Sequence, residues 1–185
     1  MRVFIAIELP ADIKLALAAV QSDLRQARAE VSWARPESLH LTLKFLGEVE
    51  ALRLPEIVEA CAVAAARVAP FALKVGGAGG FPNLQQPRVL WVGLTTGLVE
   101  LRMLQQKLEA TLQALGWAKE ARTFNPHLTL GRVNTPHNLV AATARLLAYP
   151  VPELPFQVQE LVVMQSQLHP AGSIYTPLAK CDLNG

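Results

Sequence analysis

Apolar residues recur along this chain with two different periods, and together they predict a mixed α/β protein. Segments in which every second residue is apolar predict strands, and segments with apolar residues three and four positions apart predict helices. The predicted strands are residues 2–9, 40–49, 71–77, 88–94, 127–133, 156–168 and 174–183. The predicted helices are residues 10–30, 54–69, 96–117 and 138–149. The order strand, helix, strand, helix, strand therefore occurs twice.

The middle strand of each repetition begins with the same word, HLTL, at His40 and at His127. The halves share little identity outside this word, and two copies are too few for a solenoid. Two similar lobes packed face to face would place equivalent strands side by side. We therefore expect one bilobal domain over residues 1–185, with a pseudo-twofold axis that brings both histidines into one cleft.

The composition is that of a folded protein, because 51% of its 185 residues are hydrophobic and 17% are charged. No charge-free apolar run is long enough to span a bilayer, and Glu8 and Pro10 interrupt the first apolar stretch too early for a secretory signal. Cys61 and Cys181 stand outside any CxxC pair. Reduced thiols in a cytoplasmic protein are the expected state, with one disulfide as the alternative.

The charge balance bounds the class of ligand. The net charge is +2, and no run of Lys or Arg is present. A protein that coats long duplexes shows a more strongly basic face. A small or terminal anionic group fits this chain better.

The HLTL words offer a specific chemistry. Strict alternation in a strand would put His40, Thr42 and Lys44 on one face, and His127 and Thr129 on the corresponding face of the other strand. The leucines between them would face the core.

Two His and Thr pairs that face each other could handle a phosphate. The hydroxyls can donate to non-bridging oxygens, while one imidazole acts as general acid and the other as general base. This chemistry requires no metal or other cofactor. A two-histidine metal site is the competing interpretation, but no HxH, HxxxH or CxxC supplies the further ligands.

The other candidates have structural interpretations. His137 at a helix start and His169 in a turn are expected on the surface. The glycine-rich stretch VGGAGGFP at residues 75–82 lacks the GK[ST] ending of a phosphate loop, so we expect a flexible turn or edge loop there.

The words HLTLKFLGEV and FNPHLTLGRV resemble the paired HxTx motifs of the two-histidine (2H) phosphoesterase superfamily. The chain is most similar to the RNA 2′,3′-cyclic phosphodiesterases, also called 2′-5′ RNA ligases. MRVFIAIELP, WARPESLHLTLKFLGEV, RVLWVGL and LVVMQSQLHPAGSIYTPL extend the resemblance over nearly the whole chain. It implies an α/β (α+β) fold in which two antiparallel-rich sheets line a central cleft, with helices outside.

The resemblance also implies hydrolysis of an RNA 2′,3′-cyclic phosphate to a 2′-phosphate. His127 would accept a proton from water and His40 would donate one to the departing 3′-oxygen. Thr42 and Thr129 would bind the phosphate oxygens. Arg132 lies on the opposite face by strict alternation, so it reaches the phosphate only if the strand ends or bulges at Gly131. Further candidates for supporting or stacking on a nucleotide are Phe4, Trp33, Trp91, Ser166 and Tyr175.

The expected partners are RNA ends or nucleotide cyclic phosphates, with no membrane, no obligate protein partner and a monomeric state. The same chemistry run in reverse would be 2′-5′ ligation. Two alternatives stay open: a cyclic phosphodiesterase for a small nucleotide or 2′-5′ oligonucleotide, and a catalytically silent RNA-binding module. Intact His and Thr in both words argue against the silent module.

Overall fold

The computed structural model describes residues 1–170 and 172–185, which form nine strands and four α-helices. The strands are β1 (Arg2–Glu8), β2 (Val31–Trp33), β3 (His40–Glu48), β4 (Phe71–Phe81), β5 (Val89–Thr96), β6 (Leu128–Val133), β7 (Pro155–Val158), β8 (Glu160–Gln167) and β9 (Ile174–Asp182). The helices are α1 (Ala11–Arg25), α2 (Leu54–Ala65), α3 (Leu98–Ala114) and α4 (Leu139–Ala148). Short 3-10 helices at Pro36–Ser38 and Ala51–Arg53 precede β3 and α2.

The strands form two antiparallel sheets. The four-stranded sheet has the order β3-β1-β8-β9, and the five-stranded sheet has the order β2-β6-β5-β4-β7. All strand pairs in both sheets are antiparallel. This is the predicted mixed α/β architecture with antiparallel sheets.

The two sheets repeat one arrangement. The order β3-β1-β8-β9 corresponds position by position to β6-β5-β4-β7, and in each sheet the HLTL strand lies beside the first strand of its half. Each sheet also takes strands from the other half of the chain, because β4 pairs with β5 and β8 pairs with β1. The predicted pseudo-twofold relation is confirmed, and β3 and β6 contact each other where the sheets meet.

The helices cover the sheets because each has one apolar face. In α1 the buried apolar residues Ile13, Leu17, Val20 and Leu24 recur at three- and four-residue spacing. They join the leucines of both HLTL words in one hydrophobic core. Burying each such side chain stabilises the fold by about 1.5–3 kcal/mol.

The single strand predicted over residues 156–168 is wrong. The segment contains two strands, β7 and β8, which end and begin around Gln159 and belong to different sheets. Phe156 and Val158 on β7 and Leu161 on β8 are all buried, so the alternation changes phase between the two strands. Alternation reports only which side chains are buried. It carries no information about which sheet the strand joins.

The loop predicted at residues 75–82 is also wrong, because β4 continues through the glycines to Phe81. The reason lies in the neighbouring strand β5. A Cβ atom at Gly79 would come within 2.4 Å of the Trp91 indole, so glycine leaves room for that ring.

Two local features were not predicted. The strand β2 is only three residues long, too short for a periodic signal. Helix α1 ends at Arg25 rather than at residue 30, and Arg28 has a positive φ of 55°. Among the described residues, no helix is long and apolar enough to cross a membrane.

Candidate active site

The two HLTL words line one cleft between the sheets. His40 and Thr42 come from the start of β3, while His127 precedes β6 and Thr129 lies within it. The cleft has a volume of about 330 Å³. Its other lining residues are Ser32, Trp33, Ala34, Arg35, Ser38, Leu39, Phe45, Gly131, Arg132, Gly172, Ser173 and Tyr175. Two histidines that lie 87 positions apart (127 − 40) therefore share a site.

Both imidazoles are oriented by the same backbone contact. His40 Nδ1 lies 2.7 Å from the carbonyl oxygen of Ser38, and His127 Nδ1 lies 2.8 Å from that of Asn125. A carbonyl oxygen only accepts hydrogen bonds, so each Nδ1 carries the hydrogen and donates it. Each Nε2 is then left to take up or release a proton. In His40 this nitrogen lies 2.9 Å from Thr42 Oγ1.

Aromatic rings surround His40. Phe4 lies 4.8 Å from the imidazole between ring centroids, and Tyr175 meets it edge-on at 5.0 Å. Burial lowers the pKa of His40, the bond to the Ser38 carbonyl acts in the opposite direction, and the Lys14 ammonium lowers the pKa further. The free protein therefore favours neutral His40, and a bound anion would favour the protonated form.

His127 has a different environment. Phe81 packs edge-on at 4.7 Å and Trp91 lies at 6.4 Å, again between ring centroids. Burial lowers the pKa of His127, its bond to the Asn125 carbonyl opposes this, and the Arg132 charge lowers the pKa further. A neutral imidazole with an available Nε2 is the form that a general base requires.

The strict alternation predicted for β3 is wrong beyond Thr42. Ala6 pairs with Thr42 and Ile5 pairs with Lys44, so Leu43 is an extra residue in a β-bulge. Leu43 and Lys44 are both buried, and the residues after the bulge change face. Lys44, which was placed on the His40 face, points away from the cleft. Strict alternation would put Phe45 on the face of Leu41 and Leu43, but its side chain is 69% exposed and lines the cleft.

The second word contains the matching irregularity. Leu90 pairs with Gly131 and Trp91 pairs with Thr129, so Leu130 is the extra residue. From the sequence, we expect Arg132 to reach the cleft only if the strand bulges or ends here. The condition is met, since Arg132 is exposed and lines the cleft beside Thr129.

Comparison with known proteins agrees with this geometry. Residues 7–91 and 95–175 match the LigT-like phosphoesterase family. The RNA 2′,3′-cyclic phosphodiesterase of Methanothermobacter thermautotrophicus is 34% identical over 181 residues, which cover 96% of each chain. The chain belongs to the LigT-like phosphoesterase family.

Other members of the family match at full length. The RNA 2′,3′-cyclic phosphodiesterase of Thermotoga maritima is 31% identical over 100% of this chain and 97% of its own. The crystal structure of TT0787 from Thermus thermophilus superimposes with a TM-score of 0.81 at 33% identity, covering 100% of this chain and 99% of the other. E. coli LigT complexed with 3′-AMP gives a TM-score of 0.74 at 28% identity, covering 100% and 98%.

In this LigT-like phosphoesterase, Lys44 forms a buried ion pair behind the cleft. Its Nζ lies 2.7 Å from Glu109 Oε2 on α3, and the two side chains are 6% and 4% exposed. Lys44 also donates to the Ala118 carbonyl at 2.9 Å, and Glu109 accepts from Gln105 at 3.1 Å. The bulge and this ion pair together fix the course of β3 directly after Thr42.

The remaining candidates fall into two groups. Trp33 and Tyr175 line the cleft, whereas Phe4, Trp91 and Ser166 do not. Ser166 is paired with Tyr175 across β8 and β9. His137 and His169 are exposed, as predicted, and lie outside the cleft. Within the described ranges, no group of three or more His, Cys, Asp or Glu side chains is placed to hold a metal ion.

Sequence reasoning missed Phe45, Arg35 and the two carbonyls that orient the histidines. Phe45 could not be found because a bulge leaves no clear trace in the pattern of apolar residues. The carbonyls belong to the backbone, which any residue supplies. The segments SLH and NPH did hold the signal that each histidine directly follows a turn or loop.

Proposed function

We propose that this protein hydrolyses the 2′,3′-cyclic phosphate at the end of an RNA strand to a 2′-phosphomonoester. The observation that carries the proposal is the pair of imidazoles in one cleft, each with Nδ1 held by a carbonyl, so that Nε2 is the nitrogen that exchanges protons; in His40 it also contacts Thr42. The full-length relatives named RNA 2′,3′-cyclic phosphodiesterase support this substrate class.

His127 is the proton acceptor in this reaction. Its Nε2 takes a proton from a water molecule, whose oxygen attacks phosphorus. The low pKa that burial and Arg132 impose keeps the imidazole neutral and able to act as a base. The position of the Arg132 cation on that wall of the cleft is consistent with this assignment of roles.

His40 is the proton donor. As the bond between phosphorus and the 3′-oxygen breaks, the Nε2–H of protonated His40 gives its proton to the departing oxygen. Thr42 lies 2.9 Å from this nitrogen and orients it. One proton enters the enzyme from water at His127 and one leaves at His40, so the two imidazoles exchange protonation states in each turnover. If the 5′-hydroxyl of a second RNA strand takes the place of water, the same attack and departure of the 3′-oxygen form a 2′-5′ phosphodiester bond, which is 2′-5′ ligation.

The phosphate oxygens bind to Thr42, Thr129 and Arg132. Hydroxyl and guanidinium donors aimed at the developing negative charge would lower the barrier, and a single such donor is typically worth about 10²–10³ in rate. The aromatic residues Phe45 and Tyr175 lie on the His40 wall and provide a surface for the ribose and base. No step in this scheme needs a metal ion.

One chain supplies every group in the scheme, so we propose a monomeric enzyme. Cys61 and Cys181 are free thiols, which is typical of a reducing compartment and supports a cytoplasmic location.

A short RNA that ends in a 2′,3′-cyclic phosphate, incubated with the protein in EDTA, tests the proposal. We expect a 2′-phosphate, which phosphorus NMR distinguishes from a 3′-phosphate. A 3′-phosphate would contradict the assigned leaving group. Turnover that appears only after a divalent metal is added would contradict the metal-independent scheme, and turnover of small cyclic nucleotides alone would favour the alternative substrate class.

A further inference from the structure

A second cavity of about 350 Å³ adjoins the cleft on the His40 side. We call it the side cavity. Its lining residues are Glu8, Lys14, Arg35, Glu37, Ser38, Leu39, His40, Met164, Ile174, Tyr175 and Pro177. Five of these also line the cleft, namely Arg35, Ser38, Leu39, His40 and Tyr175. The side cavity therefore opens from the wall that holds His40, and His127, Thr129 and Arg132 do not line it.

Two cations line this cavity, and their closest hydrogen-bond partners are uncharged. Lys14 Nζ donates to the carbonyl oxygen of Glu37 at 2.8 Å, and Arg35 Nη2 donates to that of Ser173 at 2.8 Å. An ammonium has three donors and a guanidinium has five, so one carbonyl each leaves donors for an anion. The Lys14 charge acts on His40, which places it next to the reaction site.

Two carboxylates also line the cavity, but neither cancels these cations closely. Glu8 Oε2 lies 3.2 Å from Lys180 Nζ, so the Glu8 carboxylate forms its ion pair with Lys180. Glu37 Oε1 lies 3.8 Å from Arg35 Nε, and the Glu37 side chain is 69% exposed. Arg35 is therefore the cationic group at the junction of the two cavities, and Lys14 is the cationic group within the side cavity.

We propose that the side cavity binds the nucleotide on the 5′ side of the cyclic-phosphate residue, with Lys14 and Arg35 contacting the phosphodiester between them. This inference rests on the proposed function. If His40 protonates the departing 3′-oxygen, the ribose that carries this oxygen lies on the His40 wall. The strand continues from the 5′-oxygen of that ribose, and the space next to this wall is the side cavity.

The volume agrees with this occupant, since ligand pockets commonly measure about 300–1,000 Å³. The apolar residues Leu39, Met164 and Ile174 offer a surface for a second base or ribose. The substrate class is then an oligonucleotide with a terminal cyclic phosphate, in preference to a lone cyclic mononucleotide.

Three substrates that all carry adenine as the base test the inference. They are adenosine 2′,3′-cyclic phosphate, the dinucleotide ApA with a terminal 2′,3′-cyclic phosphate, and the same dinucleotide with a neutral methylphosphonate linkage. We expect kcat/KM for the natural dinucleotide to exceed that for the mononucleotide by about tenfold, as for one charge-assisted contact. The methylphosphonate keeps the second nucleoside and nearly the same shape without the charge, so it is expected to lose most of this advantage and to keep only what the apolar contacts supply.

The matched variants are Lys14→Gln, Lys14→Arg and Arg102→Gln. Lys14→Gln is expected to lower the dinucleotide-to-mononucleotide ratio several-fold, with Arg35 retaining part of it, and Lys14→Arg is expected to retain the wild-type ratio. Arg102 is exposed on α3 and lines neither cavity, so Arg102→Gln removes the same charge and should leave the ratio unchanged. The ratio compares kcat/KM for two substrates on the same variant, so any general effect of the substitution on folding or on His40 cancels.

The outcomes separate the two levels of the proposal. A ratio that Lys14→Gln lowers and Arg102→Gln does not, with the methylphosphonate insensitive to both, supports the side cavity as the binding site. Equal wild-type rates for the dinucleotide and the methylphosphonate would overturn it while the proposed function stood. Wild-type protein that acts on none of the three substrates would overturn the proposed function, and this inference with it.

Discussion

The two walls of the cleft start from the same four residues and differ at the next two. After HLTL the first wall continues with Lys44 and Phe45, and the second continues with Gly131 and Arg132. Both strands bulge at this point, so the fifth residue after each histidine enters the cleft. One wall thereby gains an aromatic ring and the other gains a cation.

The residues that directly follow the two HLTL words, Lys44 and Gly131, differ for electrostatic and steric reasons. Lys44 reaches the buried Glu109 carboxylate, whereas a Cβ atom at Gly131 would lie 2.6 Å from Val31 Cγ1 on β2. A side chain therefore fits at the first residue after HLTL in the first wall, whereas in the second wall even a Cβ atom would displace Val31. A repeated motif can thus place the same histidine and threonine on both walls while each copy adapts to its own surroundings.

Removing either imidazole should have the largest effect. We expect His40→Ala and His127→Ala each to lower kcat by about 10²–10⁴-fold, because each removes one positioned proton transfer. Steady-state kinetics on a cyclic-phosphate RNA measure this, with thermal unfolding as the control for folding. Normal turnover by either variant would show that the two walls do not divide the acid and base roles.

The ion pair behind the first wall offers the next largest effect. Lys44→Met leaves the buried Glu109 carboxylate without its cation and should lower the free energy of unfolding by about 3–5 kcal/mol. The double variant Lys44→Met/Glu109→Leu removes both charges, so most of this loss should be recovered. Urea denaturation measures both. If the double variant had the same free energy of unfolding as the single variant, the loss of stability would not come from an unpaired charge on Glu109.

The difference between Arg132 and Phe45 gives a smaller effect with a specific pH signature. Arg132 lowers the pKa of His127, so Arg132→Gln should raise it. The base is then protonated up to a higher pH, and the acidic limb of the kcat/KM profile should move to higher pH. The rate itself should fall by about 10²–10³-fold, as for one lost donor to the phosphate.

Phe45→Leu is the control for this comparison, since it changes the same position on the other wall. It should alter KM and leave the acidic limb in place, because a neutral ring contributes no charge to His127. An acidic limb that stayed in place in Arg132→Gln would contradict the electrostatic coupling on the second wall.

The sequence by itself determined the element types, the duplicated order and the candidate residues. Periodicity was sufficient for β1, β3 and the four helices, because burying an apolar face requires the spacing that the backbone imposes. The repeated HLTL word identified His40, Thr42, His127 and Thr129, all of which line the cleft. Arg132 was identified together with the condition on which its access depends.

Tertiary structure decided the register of the strands, their partners and the faces of the residues near the bulges, because these depend on contacts with other segments. The bulges at Leu43 and Leu130 exchange the faces of Lys44 and Phe45, and a bulge arises from pairing with another strand. Residues 156–168 divide between two sheets because strand partners are distant in the sequence. The glycines of β4 form a strand because Trp91 fills the space above Gly79. A local pattern reports burial, whereas register and partner choice are set by packing between segments that are far apart in the chain.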